Sequence, residues 1–172
     1  MSSLLNTHEV VSKILQSYNV YYDIEKCTNT HIPLVAKCEF HVHNQKYVLV
    51  KKATLWEADS NEYVYIFEVD NLTKELFIKC KNYAYENGMS LINPKSGHMY
   101  SYITTLFVCN SCEEGVDKLI KKCKIFKNFK FSFNGWMDFR TCCLNISDSK
   151  IYGNKSGKDT TKFFKNLLSK NI

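Results

Sequence analysis

Apolar residues recur at three- and four-residue intervals in four stretches of the chain, and at two-residue intervals in most of what lies between. Val10, Val11, Ile14, Leu15 and Tyr18 follow Thr7, which predicts an amphipathic helix capped by that threonine. Residues 19–33 read as a loop ending at Pro33. Cys38, Phe40 and Val42 then alternate with Glu39, His41 and His43, the pattern of a half-buried strand. Asn44-Gln45 is read as a turn into a second strand, from Lys46 to about Trp56. After Ala58-Asp59-Ser60-Asn61, a third strand runs from Glu62 to Val69, completing an antiparallel meander. Leu76, Phe77, Cys80, Tyr83 and Ala84 form the stripe of a helix over about 73–87, with Thr73 as its cap and Gly88 at its predicted left-handed end.

The second half repeats the alternation of element types. Met99 to Cys109 reads as a strong strand, and Ser111 with Glu114 has the spacing of a capping box. That box would open a helix with Val116, Leu119, Ile120 and Cys123 inward. Phe129, Phe131 and Phe133 alternate with Lys130 and Ser132, which predicts a strand. Asn134-Gly135 then supplies a hairpin turn into a strand from Trp136 to about Ile146. A turn at 147–150 leads to a last helix bearing Phe163, Phe164, Leu167 and Leu168. The order is αβββαβ followed by αββ(β)α. The expected fold class is α+β, with helices packed on a largely antiparallel sheet. No linker interrupts the pattern, so 1–172 is expected to be one domain. It would have two similar halves, 1–92 and 93–172, although no residue-level repeat relates them.

Composition narrows the classes of function. With 45% hydrophobic and 23% charged residues, and only 6 Gly and 2 Pro, the chain is neither collagenous nor disordered. No apolar run approaches a membrane span and the start lacks a signal-peptide layout, so a soluble cytoplasmic protein without membrane contact is expected. Eight cysteines are then read as reduced thiols, most of them core. The net charge of +6 is unevenly placed. Residues 1–86 hold nine Lys against eleven acids, whereas 87–172 hold thirteen Lys and Arg140 against six acids. A basic half concentrates anions near its surface, although a lysine-rich composition also serves solvation alone.

Four groups of residues carry candidate chemistry. Lys118, Lys121, Lys122, Lys124, Lys127 and Lys130 interleave with Phe126, Phe129, Phe131 and Phe133, the mixture that binds phosphates and stacks bases. The alternation of the phenylalanines argues for core rather than for a platform. Cys109-Asn110-Ser111-Cys112 is a C-x-x-C at a predicted helix start, where a redox thiolate at Cys109 would be stabilised; Glu113 and Glu114 oppose that anion. A closed zinc set needs two close pairs, and only one is present, so no metal site and no cofactor are expected. His41 and His43 share a face with Glu39 but not with Cys38. Gly153 to Lys158 departs from the phosphate-loop pattern in its spacing and in Asp159 after the lysine.

The order αβββαβ resembles the core of restriction-endonuclease-like nucleases. That resemblance of topology implies Mg²⁺ held on the second and third strands. Lys51, Lys52, Glu57, Asp59, Glu68 and Asp70 are the residues in reach, although Glu68-Val69-Asp70 departs from the acid-x-Lys pattern. Gly97-His98-Met99-Tyr100 and the segment from Phe131 to Arg140 resemble parts of a family of small uncharacterised bacterial proteins, over the last half of the chain. No activity comes with that resemblance. Asp138 and Arg140 share a predicted strand face, where an exposed ion pair would contribute little. The expectation is a binding module whose basic C-terminal half meets nucleic acid or an acidic partner. A Mg²⁺-dependent nuclease and a C-x-x-C redox protein are the alternatives.

Overall fold

A computed structural model describes residues 6–28, 31–47 and 54–169. Its elements in chain order are α1 (Thr7–Tyr18), β1 (Asp23–Lys26), β2 (Leu34–Tyr47), β3 (Thr54–Leu72), α2 (Lys74–Leu91) and β4 (His98–Cys112), followed by α3 (Val116–Lys122), β5 (Phe126–Asn128), β6 (Trp136–Asn145), β7 (Lys150–Gly153) and α4 (Lys158–Ser169). The fold is α+β. Among the described residues all strands join one sheet in the order β1-β2-β3-β4-β6, with β5 and β7 both pairing on the outer edge of β6. The outer pairings are antiparallel, but β3 with β4 and β4 with β6 run parallel. Parallel neighbours require crossovers, and α2 and α3 provide them.

Helices cover both faces of the sheet. Phe77, Cys80 and Ala84 of α2 and Val116 and Ile120 of α3 pack on Tyr65, Phe67, Ile103, Phe107, Phe139 and Cys143. On the opposite face Val10, Val11 and Ile14 of α1 and Phe164 of α4 meet Ala36, Cys38, Val64, Ile66, Leu106, Cys142 and Leu144. Residues Ile103 to Cys109 of β4 are all buried, Thr104 and Thr105 among them, because helices cover both faces of this central parallel strand. Adjacent Cys142 and Cys143 point to opposite faces, as strand geometry requires. No helix among the described residues is long and apolar enough to cross a membrane.

Several local expectations are corrected. The cap of α1 is Asn6, whose side chain accepts from Glu9 N while Glu9 returns to the Asn6 backbone; Thr7 Oγ1 instead donates to Glu68 at 2.7 Å. Asn44-Gln45 and Asp59-Ser60-Asn61 lie inside β2 and β3, because cross-strand pairing carries both strands through their polar stretches. Asp23–Lys26, read as loop, adds an edge strand. Gly88 does not end α2. It is buried mid-helix, where a Cβ would meet the Ile103 side chain at 2.8 Å, so its small size admits β4 rather than a left-handed turn. Ser111 opens no helix: it lies in β4 with its hydroxyl on Asn71 Oδ1 at 2.9 Å, and α3 starts after Gly115 without a side-chain cap.

The glycine-rich loop before α4 is a structural knot. Buried Asn154 Oδ1 accepts from the Thr141 and Gly157 backbone amides, and its Nδ2 donates to the Cys123 and Phe139 carbonyls. That single side chain ties β6 to the end of α3 and the start of α4, with its amide capacity filled.

Candidate functional site

The predicted strand through Phe129, Phe131 and Phe133 is a loop. Strand β5 stops at Asn128, and Lys130, Phe131 and Ser132 follow with φ of 49°, 52° and 71°. Left-handed backbone costs an L-residue roughly 1 kcal/mol or more, so three in succession are held only by surrounding bonds. Those bonds are present. Phe133 N donates to Lys130 O, Gly135 N to Ser132 O and Phe129 N to Gly135 O, while Ser132 Oγ reaches Asn128 Oδ1 at 2.8 Å. His98 anchors the far end: its Nδ1 donates to Asn134 O at 2.7 Å, which leaves Nε2 to accept from Ser101 Oγ at 2.8 Å. Gly135, at φ 76°, lies so close to the His98 and Met99 carbonyls that no Cβ fits.

The handed turn separates the phenylalanines that alternation had grouped. Phe129 turns inward against the core, whereas Phe131 is 96% and Phe133 84% exposed. Phe126, on β5, is 51% exposed. Lys124, Lys127 and Lys130 are exposed between them, and Lys118, Lys121 and Lys122 are exposed on α3. Lys121 is committed in part to Asp117 at 3.1 Å.

Phe126 leads onto a sheet face that α1 and α4 leave open. Ring pairs Phe126–Trp136 and Trp136–Tyr100 stack at centroid distances of 5.8 and 5.2 Å, and Tyr102 meets Trp136 edge-on. The Arg140 guanidinium lies 3.3 Å from the Tyr102 ring centroid. Arg140 does not pair with Asp138 at the surface. It faces Glu62 at 3.6 Å with both side chains under 20% exposed, while Tyr22 and Thr104 donate to the two Glu62 oxygens at 2.6 and 2.7 Å. Asp138 takes Ser156 instead. Burial together with the Glu62 charge pushes the Tyr22 hydroxyl well above its ordinary value, so it stays a donor.

At the other end of β4 the C-x-x-C meets a third thiol. Cys109 Sγ lies 3.3 Å from Cys112 Sγ and 3.6 Å from Cys143 Sγ, and Cys112 lies 3.8 Å from Cys143. Regular alternation would send residues three apart to opposite faces. Here Val69 pairs with Cys109 and Leu72 with Cys112, and both strands turn two successive polar residues outward between those pairs. Asp70 bonds Asn110 and Asn71 bonds Ser111, which returns Cys112 to the side of Cys109. Thiol donors from Cys109 and Cys143 hold Cys112 well below the usual thiol range, whereas Cys109 and Cys143 are raised, chiefly by those same bonds. The C-x-x-C lies on β4, not at a helix start, so no helix N-terminus acts on Cys109. Elsewhere burial, joined at Cys38 by the nearby Cys27 and Glu62, pushes the Cys38, Cys80 and Cys142 thiols up to about 12.

The acids of the nuclease reading are dispersed along one strand. Asp59 and Glu68 are nine residues apart on β3, about 30 Å at strand rise, too far to share an ion. Asp59 bonds Lys95 at 3.7 Å, Glu68 accepts from Thr7, and Asp70 accepts from Asn110. Lys51 and Lys52, and the side chains of Glu57 and His43, lie outside the described residues. His41 bonds Asn61 and Glu39 at 2.8 and 3.2 Å.

Cys143 and Phe131 are the residues that sequence reasoning misplaced or missed. Cys143 joins the thiols only through β4–β6 register, and nothing local announces it. The three-in-a-row left-handed turn has no signature either, since neither Lys, Phe nor Ser favours it.

Residues 6–166 match the model of a family described as a domain of unknown function, DUF8052, and the chain belongs to that family. No curated protein and no solved structure matches the chain.

Proposed function

We propose that this DUF8052 member is a binding module for single-stranded nucleic acid, engaged through the edge formed by β5 and the 129–135 loop. One observation carries the reading: two phenylalanines are held in water by a strained, hydrogen-bonded turn, with exposed lysines beside them. Folding gains nothing from that arrangement, because it exposes apolar area and adopts costly backbone angles. Bases gain, since every base has a face to stack on an exposed ring, and lysines release counterions from the phosphates. Trp136 and Tyr100, stacked behind Phe126, extend the aromatic surface toward Arg140.

The alternatives have less behind them. A nuclease needs several free acids on one ion, and those of β3 fall into two groups toward opposite ends of the strand, with Glu68 taken by Thr7 and Asp70 by Asn110. Thiol redox chemistry would have to start at Cys112, the one half-exposed thiol of the three, and the Asp117 carboxylate acting on it opposes a thiolate there.

Fluorescence anisotropy with labelled single- and double-stranded RNA and DNA, at about 50 and 200 mM salt, tests the proposal. Single strands are expected to bind, and more weakly at the higher salt. Reversing Lys124, Lys127 and Lys130 to Glu should lower affinity and flatten the salt slope by about 0.7 for each lost phosphate contact. Unchanged affinity in that variant overturns the assignment. So does binding to anionic phospholipid vesicles with none to nucleic acid, because basic and aromatic groups also suit a membrane surface.

A further inference from the structure

The geometry points to a site for one thiophilic d¹⁰ cation, Zn²⁺ or Cu⁺, held by the sulfurs of Cys109, Cys112 and Cys143. The three sulfurs form a nearly equilateral triangle with sides of 3.3, 3.6 and 3.8 Å. Its centre is about 2.1 Å from each sulfur, against a zinc–thiolate bond of about 2.3 Å, so small outward shifts of the sulfurs complete three bonds. An ion slightly above the plane would be tetrahedral and take a fourth ligand from solvent; one in the plane would be trigonal, as suits Cu⁺. All-sulfur donation selects such soft ions over Mg²⁺ or Ca²⁺.

Two further features separate this trio from ordinary core cysteines. Cys38 and Cys80 are each buried among apolar side chains of the two cores, which is how free cysteine behaves as a small hydrophobe. Cys112, by contrast, is brought round by a paired break in the alternation of β3 and β4, a distortion that packing alone does not need. Two carboxylates also act on the trio, Asp148 on Cys109 and Asp117, itself paired to Lys121 at 3.1 Å, on Cys112. Cys112 is half-exposed and gives the entry side, while Cys109 and Cys143 close the floor.

Binding displaces up to three thiol protons to solvent and involves no change of oxidation state, so no co-reactant is required. The full chain, reduced and kept anaerobic, is titrated with Co²⁺, whose thiolate charge-transfer and tetrahedral d–d absorption report the donor set directly. One Co²⁺ per chain is expected, displaced by Zn²⁺. Cu⁺ is tested separately by competition with a chromophoric chelator, and the tighter ion identifies the cargo. Cys112→Ser, at a half-exposed position, should weaken binding about a hundredfold or more, whereas Cys27→Ser, outside the cluster, should leave it unchanged. A readout without any variant uses the wild type alone: Zn²⁺ or Cu⁺ should protect the peptide holding Cys109 and Cys112 from alkylation, but not the peptide holding Cys27. Binding that survives Cys112→Ser, absorption no greater than in that variant, or alkylation indifferent to both ions would each overturn the assignment.

Discussion

The two ends of β4 treat sticky side chains in opposite ways. At its start, around His98, the neighbouring loop and β5 set Phe126, Phe131 and Phe133 in water. At its end, Cys109 and Cys112 turn toward Cys143, Cys109 buried with it and Cys112 half-exposed beside them. The means differ as well. The thiols are gathered by register, because Phe107 stands opposite Cys143 and Val69 opposite Cys109, so each adds to a shared core. The phenylalanines are placed by a turn of the wrong hand for L-residues, which packing does not reward. One end of the strand contributes to stability, and the other draws on it.

Gly135→Ala should have the largest effect on this contrast. A Cβ there would press into two backbone carbonyls at a φ that disfavours any side chain. The expected cost is about 3 kcal/mol, a melting temperature lower by roughly 6–12 °C, with binding to single-stranded RNA lost as the loop rearranges. A melting point at the wild-type value would mean that the turn is not held as described. Cys143→Ala comes next. It removes a fully buried sulfur and should cost about 1–2 kcal/mol by chemical denaturation, with RNA binding unchanged. An equal loss of RNA binding would join the two ends that the structure keeps apart.

How much of this was legible follows from what is local. Helices α1, α2 and α4 and strands β4 and β6 announce themselves because periodicity is written within each segment. β1 does not, since Asp23-Ile24-Glu25-Lys26 has a single apolar residue and becomes a strand only by pairing with β2. The turn misplaced at Asn44-Gln45 shows the converse, in that a polar dipeptide inside a long hairpin stays extended when its partner strand continues. Ser111 and Glu114 have the spacing of a capping box, but the spacing cannot show that β4 runs on through them. Arg140 was visible as the single arginine, and its partner was not. Glu62 lies on β3, two strands away, and meets it only because Thr104 of β4 lies between. The lysines and phenylalanines stand together in the sequence, while the direction of each ring depends on three dihedral signs that no side chain betrays.

The smallest expected stability change carries the most weight for function. Phe131 is almost fully exposed, so Phe131→Ala deletes a ring that touches little and should alter stability by no more than about 0.5 kcal/mol. The backbone strain is untouched, because alanine meets the same left-handed penalty. Binding is another matter. A ring that stacks one base contributes about 1–3 kcal/mol, so the same substitution should weaken single-stranded RNA roughly 5- to 150-fold, and Phe133→Ala should act in the same sense. Phe129→Ala is the control with the opposite balance, since that ring packs inward against the core and edge-on to His98 at 5.7 Å. It should lower stability more than Phe131→Ala and disturb binding only by way of the loop. If Phe131→Ala melts the protein as Phe129→Ala does, the open end of β4 is part of the core after all. If it changes neither stability nor affinity, the exposed ring has no partner in nucleic acid.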